Sequence, residues 1–274
     1  FKQKTAYEIR PRDWSSDVCS SDLYQGAPTP ITGFMAACTK VAAFGALIRI
    51  FYVAFEGDAW QWQIILGVIA VITMILGAVA AIGQRDIKRI LAFSSIAHAG
   101  FLLIAVVALN QGALAAALFY FAIYGFATIG AFGVVTLVRD SAGEVTDVNR
   151  WVGLGKKSPI VATVFSLFLL SFAGIPLTAG FVGKFGLFTS AYVTGHIYLV
   201  IAGVLSSAIA VFFYARIILM LFLSDPNGDT AVSVVIPSIM TRIAIGVCAV
   251  ITLLLGVWPS LLFNSAITFA QFLR

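Results

Sequence analysis

The sequence predicts an all-α fold, a polytopic transmembrane bundle of about seven helices with one of them broken. Composition is the first reason: 61% of the 274 residues are hydrophobic and only 11% are charged, a balance far from that of soluble globular domains. The second is run length, because crossing a hydrocarbon core of about 30 Å takes about 20 helical residues and several apolar runs reach that length. The third is continuity. A spanning β-barrel needs alternating segments of about ten residues, and these runs do not alternate.

The runs fall at residues 30–55, 61–83, 87–109, 112–138, 158–193, 197–223 and 235–258. The first carries Lys40 as a lone charge, about ten residues in and so about 15 Å deep at 1.5 Å per residue, too deep for snorkelling. The third opens with Lys88 and Arg89, which read as snorkelling interfacial anchors. Further in it carries His98, with Ser94 and Ser95 on the same helix face. In the fourth, Gly125, Gly130 and Gly133 with Ala127 and Ala131 predict close helix packing. The fifth is interrupted at Gly174-Ile175-Pro176, where a proline removes a backbone donor and clashes with the preceding turn, so the helix must break or kink near residues 173–177. Lys184 follows this break. Arg49 and Arg216 lie near helix ends and read as anchors, whereas Arg242 reads as deeper and able to pair with an acidic side chain of another helix or subunit.

Charge placement orients the bundle. Arg85, Lys88 and Arg89 lie between the second and third runs, and Arg139, Arg150, Lys156 and Lys157 between the fourth and fifth; both connections fall on one face if every helix crosses once. The Lys/Arg excess assigns that face to the cytoplasm and the C-terminus to the outside. Residues 140–157 form the longest polar connection, expected to lie along the cytoplasmic surface, and DPNGD at 225–229 is a turn-rich loop. His196 reads as a solvated residue of an outer turn.

The net charge of +5 reflects these loops and not nucleic-acid binding. No Gly-rich phosphate loop, paired metal-ligand set or nucleophile–base motif occurs, so no cofactor and no metal is expected. Of three cysteines, Cys38 and Cys248 stand alone within helices and Cys19 lies in the polar N-terminal segment. What remains is ion movement. An isolated ammonium at membrane depth costs roughly 2.5–3.5 kcal/mol on insertion scales, so it is kept where it faces a partner, a cavity or water. Broken helices at that depth are tolerated where the freed backbone groups line a cavity, which makes Lys184 the stronger site and Lys40 the second. His98 is the third, since a neutral imidazole can pass a proton between its two nitrogens. A histidine bonded to a neighbouring helix is the structural alternative, and the two lysines favour a relay.

Residues 1–23 stand apart. They are polar, follow no helical or strand period, and lack the apolar centre of a signal peptide. They resemble the in-frame translation of a common short-read sequencing adapter; a disordered polar tail is the alternative. The expected division is therefore an artefactual or disordered tail over 1–23 and a transmembrane proton-translocating domain over 24–274, a fragment of a reading frame whose upstream part is missing.

Three ordered stretches carry a family resemblance: YQGAPTPITGFMAACTKVAAFGALIR, RDIKRILAFSSIAHAGFLL and FAGIPLTAGFVGKF. Over residues 24–274 the chain resembles the antiporter-like membrane subunits of respiratory NADH–quinone oxidoreductase, complex I, with wording nearest subunit N. The resemblance implies half of an inverted-repeat antiporter-like fold, the eighth to fourteenth of fourteen helices. Lys40 then matches the central-axis lysine of the eighth helix, His98 the histidine of the tenth, and Lys184 the terminal lysine of the broken twelfth. The family's glutamate of the fifth helix and lysine of the seventh would lie upstream of Tyr24. The implied function is proton translocation without redox chemistry, a translocase subunit coupled to quinone reduction elsewhere in the complex. Implied partners are the other membrane subunits of complex I and the lipid bilayer, with quinone met only through neighbouring subunits, and the implied location is the bacterial inner (plasma) membrane, multi-pass. Alternatives are a subunit of a sodium/proton antiporter or membrane-bound hydrogenase of the same fold, and a membrane scaffold whose lysines pair with lipids or partners.

Overall fold

The computed structural model describes residues 26–140, 143–223, 233–235 and 238–271; the polar segment 1–23 and the DPNGD loop lie outside the described residues. The chain runs through α1 (Thr29–Arg49, continued by a π-helical turn, Ile50–Ala54), α2 (Ala59–Ile82), α3 (Ile87–Ala108), α4 (Gln111–Val135), β1 (Val138–Asp140) and β2 (Gly143–Glu144). A four-residue α5 (Leu154–Lys157) leads into α6 (Pro159–Ala173), α7 (Ala179–Val193), α8 (Ile197–Phe222), β3 (Ser233–Val234), α9 (Ile239–Val257) and α10 (Ser260–Gln271). Among the described residues, six helices are long and apolar enough to cross a membrane. With 15 residues each, α6 and α7 would span only about 22 Å apiece and together form the broken crossing.

Local signals set the boundaries. Pro159 opens α6 at its first turn, where the missing N–H costs nothing. Asp86 caps α3 by accepting from Arg89 N at 3.0 Å, Asn110 caps α4 by accepting from Ala113 N at 2.7 Å, and Ser238 caps α9 through Thr241 N at 3.3 Å.

The bundle is built around α3 and α4. Their spanning windows are 78% and 67% buried, against 28–39% for the other four long helices, whose outer faces expose Phe34, Ile64, Leu76, Phe212 and Met240. Glycines bring backbones together at the centre: a Cβ on Gly100 of α3 would fall 2.8 Å from Met74 N of α2, and one on Gly130 of α4 would fall 2.2 Å from the Phe168 ring of α6. Gly133 likewise faces Ile245 of α9, but a Cβ on Gly125 would meet open space, so the packing role expected of that glycine is not found.

Four expectations change. Residues 143–157 do not simply lie along a surface: Val145, Val148, Trp151 and Leu154 are buried, and Trp151 donates its indole N–H to Val145 O at 2.8 Å and packs on Phe165 of α6. This cap includes an antiparallel sheet in the order β2-β1-β3, which joins the α4–α6 and α8–α9 connections, while Ile87 N→Thr146 O at 2.7 Å ties in the α2–α3 turn. All three connections therefore share one face, the Lys/Arg-rich face of the charge argument. Second, Lys88 does not snorkel. It is buried, and its ammonium lies 3.1 Å from Glu144 Oε2, which β2 holds over the start of α3; Thr29 also donates to that carboxylate. Third, Arg242 is not deep, since it sits in the first turn of α9 and is exposed. Fourth, the last apolar run is followed by α10, which returns against α4 with the Phe263 ring 5.6 Å from Phe119. Its stripe of Ala266 and Ala270 is too short and mixed for a hydropathy reading to find.

Candidate functional site

The break between α6 and α7 is built by backbone geometry. Gly174 takes a left-handed conformation with φ 78° and donates to Leu170 O and Ser171 O, while Ile175 N donates to Leu170 O at 3.2 Å. This is a Schellman ending, which glycine adopts without the Cβ penalty. Pro176 follows the stop, and Leu177 holds φ 73° while exposed, a strained conformation for a branched side chain.

Such an ending leaves the last carbonyls of α6 without backbone N–H partners. Lys184, in the second turn of α7 and only 3% exposed, supplies them: Nζ donates to Phe172 O at 2.8 Å, to Ala173 O at 3.1 Å and to Ser207 Oγ of α8 at 3.4 Å. The ammonium also lies 4.7 Å from the centre of the Phe101 ring of α3. It thus sits at the negative end of the α6 dipole, on neutral oxygens that a continuous helix would not offer. The fit is close, for a Cβ on Gly174 would stand 3.0 Å from Lys184 Cδ.

Lys40 reaches inward from α1 to α3 and α4. Its ammonium donates to the carbonyl and hydroxyl oxygens of Ser95 and, at 3.2 Å, to Tyr124 Oη, with the Tyr124 ring centre 4.8 Å away. Among the described residues neither Lys40 nor Lys184 has a carboxylate partner.

His98 is buried between the lysines. Its Nδ1 shares a 2.5 Å hydrogen bond with Tyr120 Oη of α4, and its ring centre lies 5.0 Å from Tyr124, 5.5 Å from Phe172 and 5.9 Å from Phe101. The ring thus touches Tyr124, which holds Lys40, and Phe172 and Phe101, which adjoin Lys184. The nearby serines do not serve His98 as their shared face suggested: Ser95 takes Lys40, and Ser94 hydrogen-bonds Tyr214 of α8.

The structure therefore brings Lys40, His98 and Lys184 into one interior cluster around α3. Sequence reasoning missed Tyr120, Tyr124, Tyr214, Ser95 O and Ser207. A signal existed for the first two, since Tyr120 and Tyr124 stand four apart in an apolar run and buried phenols need partners. It also missed that Lys184 caps the helix it follows.

Long apolar helices around a broken one, with ammonium groups on neutral oxygens inside, define an antiporter-like transmembrane bundle. The chain belongs to the family described as NADH:quinone oxidoreductase/Mrp antiporter, transmembrane, whose model matches residues 18–210. It is a multi-pass membrane protein. NADH-quinone oxidoreductase subunit N of Rhodococcus opacus (strain B4) is 54% identical over 253 residues, which cover 92% of this chain and 47% of that protein. Subunit N of Salinispora arenicola (strain CNS-205) is 53% identical over 257 residues, covering 94% of this chain and 50% of that protein. The chain thus spans about half the length of these curated relatives. Among solved structures, a chain of respiratory complex I from Thermus thermophilus with bound aureothin superposes with TM-score 0.76 at 31% identity, over 89% of this chain and 53% of that one. A chain of the Mrp complex from Dietzia sp. DQ12-45-1b superposes with TM-score 0.82 over 93% of this chain and 55% of that one, at 24% identity, a likeness of fold alone.

Proposed function

We propose that residues 24–274 form a proton-translocating domain of a membrane subunit of NADH–quinone oxidoreductase, carrying protons through Lys40, His98 and Lys184 with no redox chemistry of its own. The work is coupled to quinone reduction in neighbouring subunits, and the partners are the other membrane subunits of a complex I in a bacterial inner membrane. The observation that carries this reading is the His98–Tyr120 pair, buried between two ammonium groups whose acceptors are all neutral oxygens. An ammonium so held can release its proton, which a guanidinium does not do in this pH range. The imidazole accepts a proton on one nitrogen and donates from the other, and the Tyr120 hydroxyl both donates and accepts.

The broken helix supplies the coupling element. Two of the three oxygens on Lys184 are α6 carbonyls, so any shift of α7 against α6 changes how well a charged Lys184 is held. Burial and neighbouring charge set whether such a group keeps its proton, and small rearrangements are enough to switch it. The subunit N relatives favour the complex I setting over a stand-alone antiporter. The test is Lys184→Ala in the intact complex reconstituted in vesicles: proton uptake and coupled quinone reduction fall together while the complex still assembles. Undiminished pumping by the assembled variant would leave Lys184 a structural cap only.

A further inference from the structure

A second site lies away from the relay, at the Lys/Arg-rich face where α2 ends and α8 approaches its own end. A cavity of about 290 Å³ opens there between α2, α8 and the cap, with Arg85 and Arg216 on its walls. Gln84 and Asn149 add amide groups, and Ile90 and Phe213 form part of an apolar floor. No carboxylate is among its described lining residues. Neither guanidinium has a hydrogen bond or ion pair among the described residues, although Lys88, Arg139 and Arg150 on the same face all pair with Glu144 or Asp140. Among the described residues these two cations stay unpaired while Lys88, Arg139 and Arg150 are neutralised.

We propose that this cavity binds the phosphate of an anionic phospholipid in the cytoplasmic leaflet. Two unpaired guanidinium forks match the oxygens of a phosphodiester. With two cations and no acidic group among the described lining residues, the cavity favours an anionic, phosphatidylglycerol-like headgroup over a zwitterionic one. The surroundings select a lipid over a free anion. Arg85 follows the end of α2 by three residues and Arg216 precedes the end of α8 by six, which puts both at interfacial depth. On the membrane side of them the outward faces of α2 and α8 expose Val79 and Phe212, apolar surface for acyl chains. Basic pockets between spanning helices on the cytoplasmic side suit such headgroups for this reason.

The site is tested by native mass spectrometry of the full chain in detergent with added phosphatidylglycerol, phosphatidylcholine or inorganic phosphate. Phosphatidylglycerol is expected to bind in preference to phosphatidylcholine and to resist displacement by millimolar phosphate. Arg85→Gln with Arg216→Gln is expected to weaken its binding about thirtyfold, from the usual contribution of two interfacial cations. Arg242→Gln, an exposed cation at the same face but outside the cavity, leaves binding unchanged. Equal binding of phosphatidylcholine, displacement by phosphate or full affinity in the double variant would each overturn the assignment. Should the double variant fail to fold, a photoactivatable phosphatidylglycerol on the unmodified chain decides: label within residues 79–90 or 213–222 supports the site, and label confined elsewhere refutes it.

Discussion

Lys184 and Lys40 are both ammonium groups held by neutral oxygens inside membrane-spanning helices, yet the two sites are built in opposite ways. Lys184 closes the broken crossing to which it belongs, taking two acceptors from the end of α6, and it adds only Ser207 from outside that pair. Lys40 has no acceptor on its own helix. It reaches from α1, whose spanning window is 28% buried, to Ser95 of α3 and Tyr124 of α4. One lysine completes a backbone structure, while the other joins an outer helix to the centre. Loss of the ammonium should therefore disturb architecture and transport together at Lys184, and mainly transport at Lys40.

The largest effect expected is from Lys184→Ala. Besides abolishing coupled pumping, it leaves two buried carbonyls without a donor, each costing about 1–3 kcal/mol, so the assembled complex should melt several degrees lower in a thermal unfolding assay. An unchanged melting temperature would remove the capping half of the contrast. Next, Lys40→Arg should stop proton uptake almost as fully, because a guanidinium keeps its proton, but with wild-type assembly, since this side chain starts from a partly exposed outer helix. A variant that assembled poorly would make the two sites alike.

A smaller effect separates the tyrosines. Tyr120→Phe removes the hydroxyl partner of buried His98 and should slow pumping severalfold with a cost of about 1–3 kcal/mol in stability. Tyr124→Phe should do less, since Lys40 keeps both oxygens of Ser95. Rates of proton uptake ranked the other way would mean that the path runs through Tyr124. Smallest is the contrast at the break itself. Gly174→Ala places a Cβ at φ 78° against Lys184, costing about 1–2 kcal/mol and disturbing coupling. Pro176→Ala should change the H⁺/quinone stoichiometry less, because the stop is already made by Gly174. If Pro176→Ala proved the more damaging, the proline would be the cause of the break after all.

Much of this was legible residue by residue. Apolar run length sets where the chain can cross, because crossing is a requirement of thickness that each helix meets alone. A Gly-Ile-Pro interruption marks a stop because its constraints are local to the backbone. Lone lysines at depth stand out because insertion charges each of them separately. Partners are a different matter. Ser95 lies 55 residues from Lys40 and Tyr124 lies 84, and hydropathy carries no record of which helix faces which. The capping of α6 by Lys184, the pairing of His98 with Tyr120 rather than with its own serines, and the burial of Lys88 against Glu144 all depend on helices and strands meeting. Those contacts follow from how α3 and α4 pack at the centre, where close-packed glycines and buried hydroxyl groups leave few arrangements that bring the ammonium groups and the imidazole onto oxygens. Composition and run length thus determined that this chain spans a membrane and where its charges lie, and tertiary packing alone decided what those charges touch.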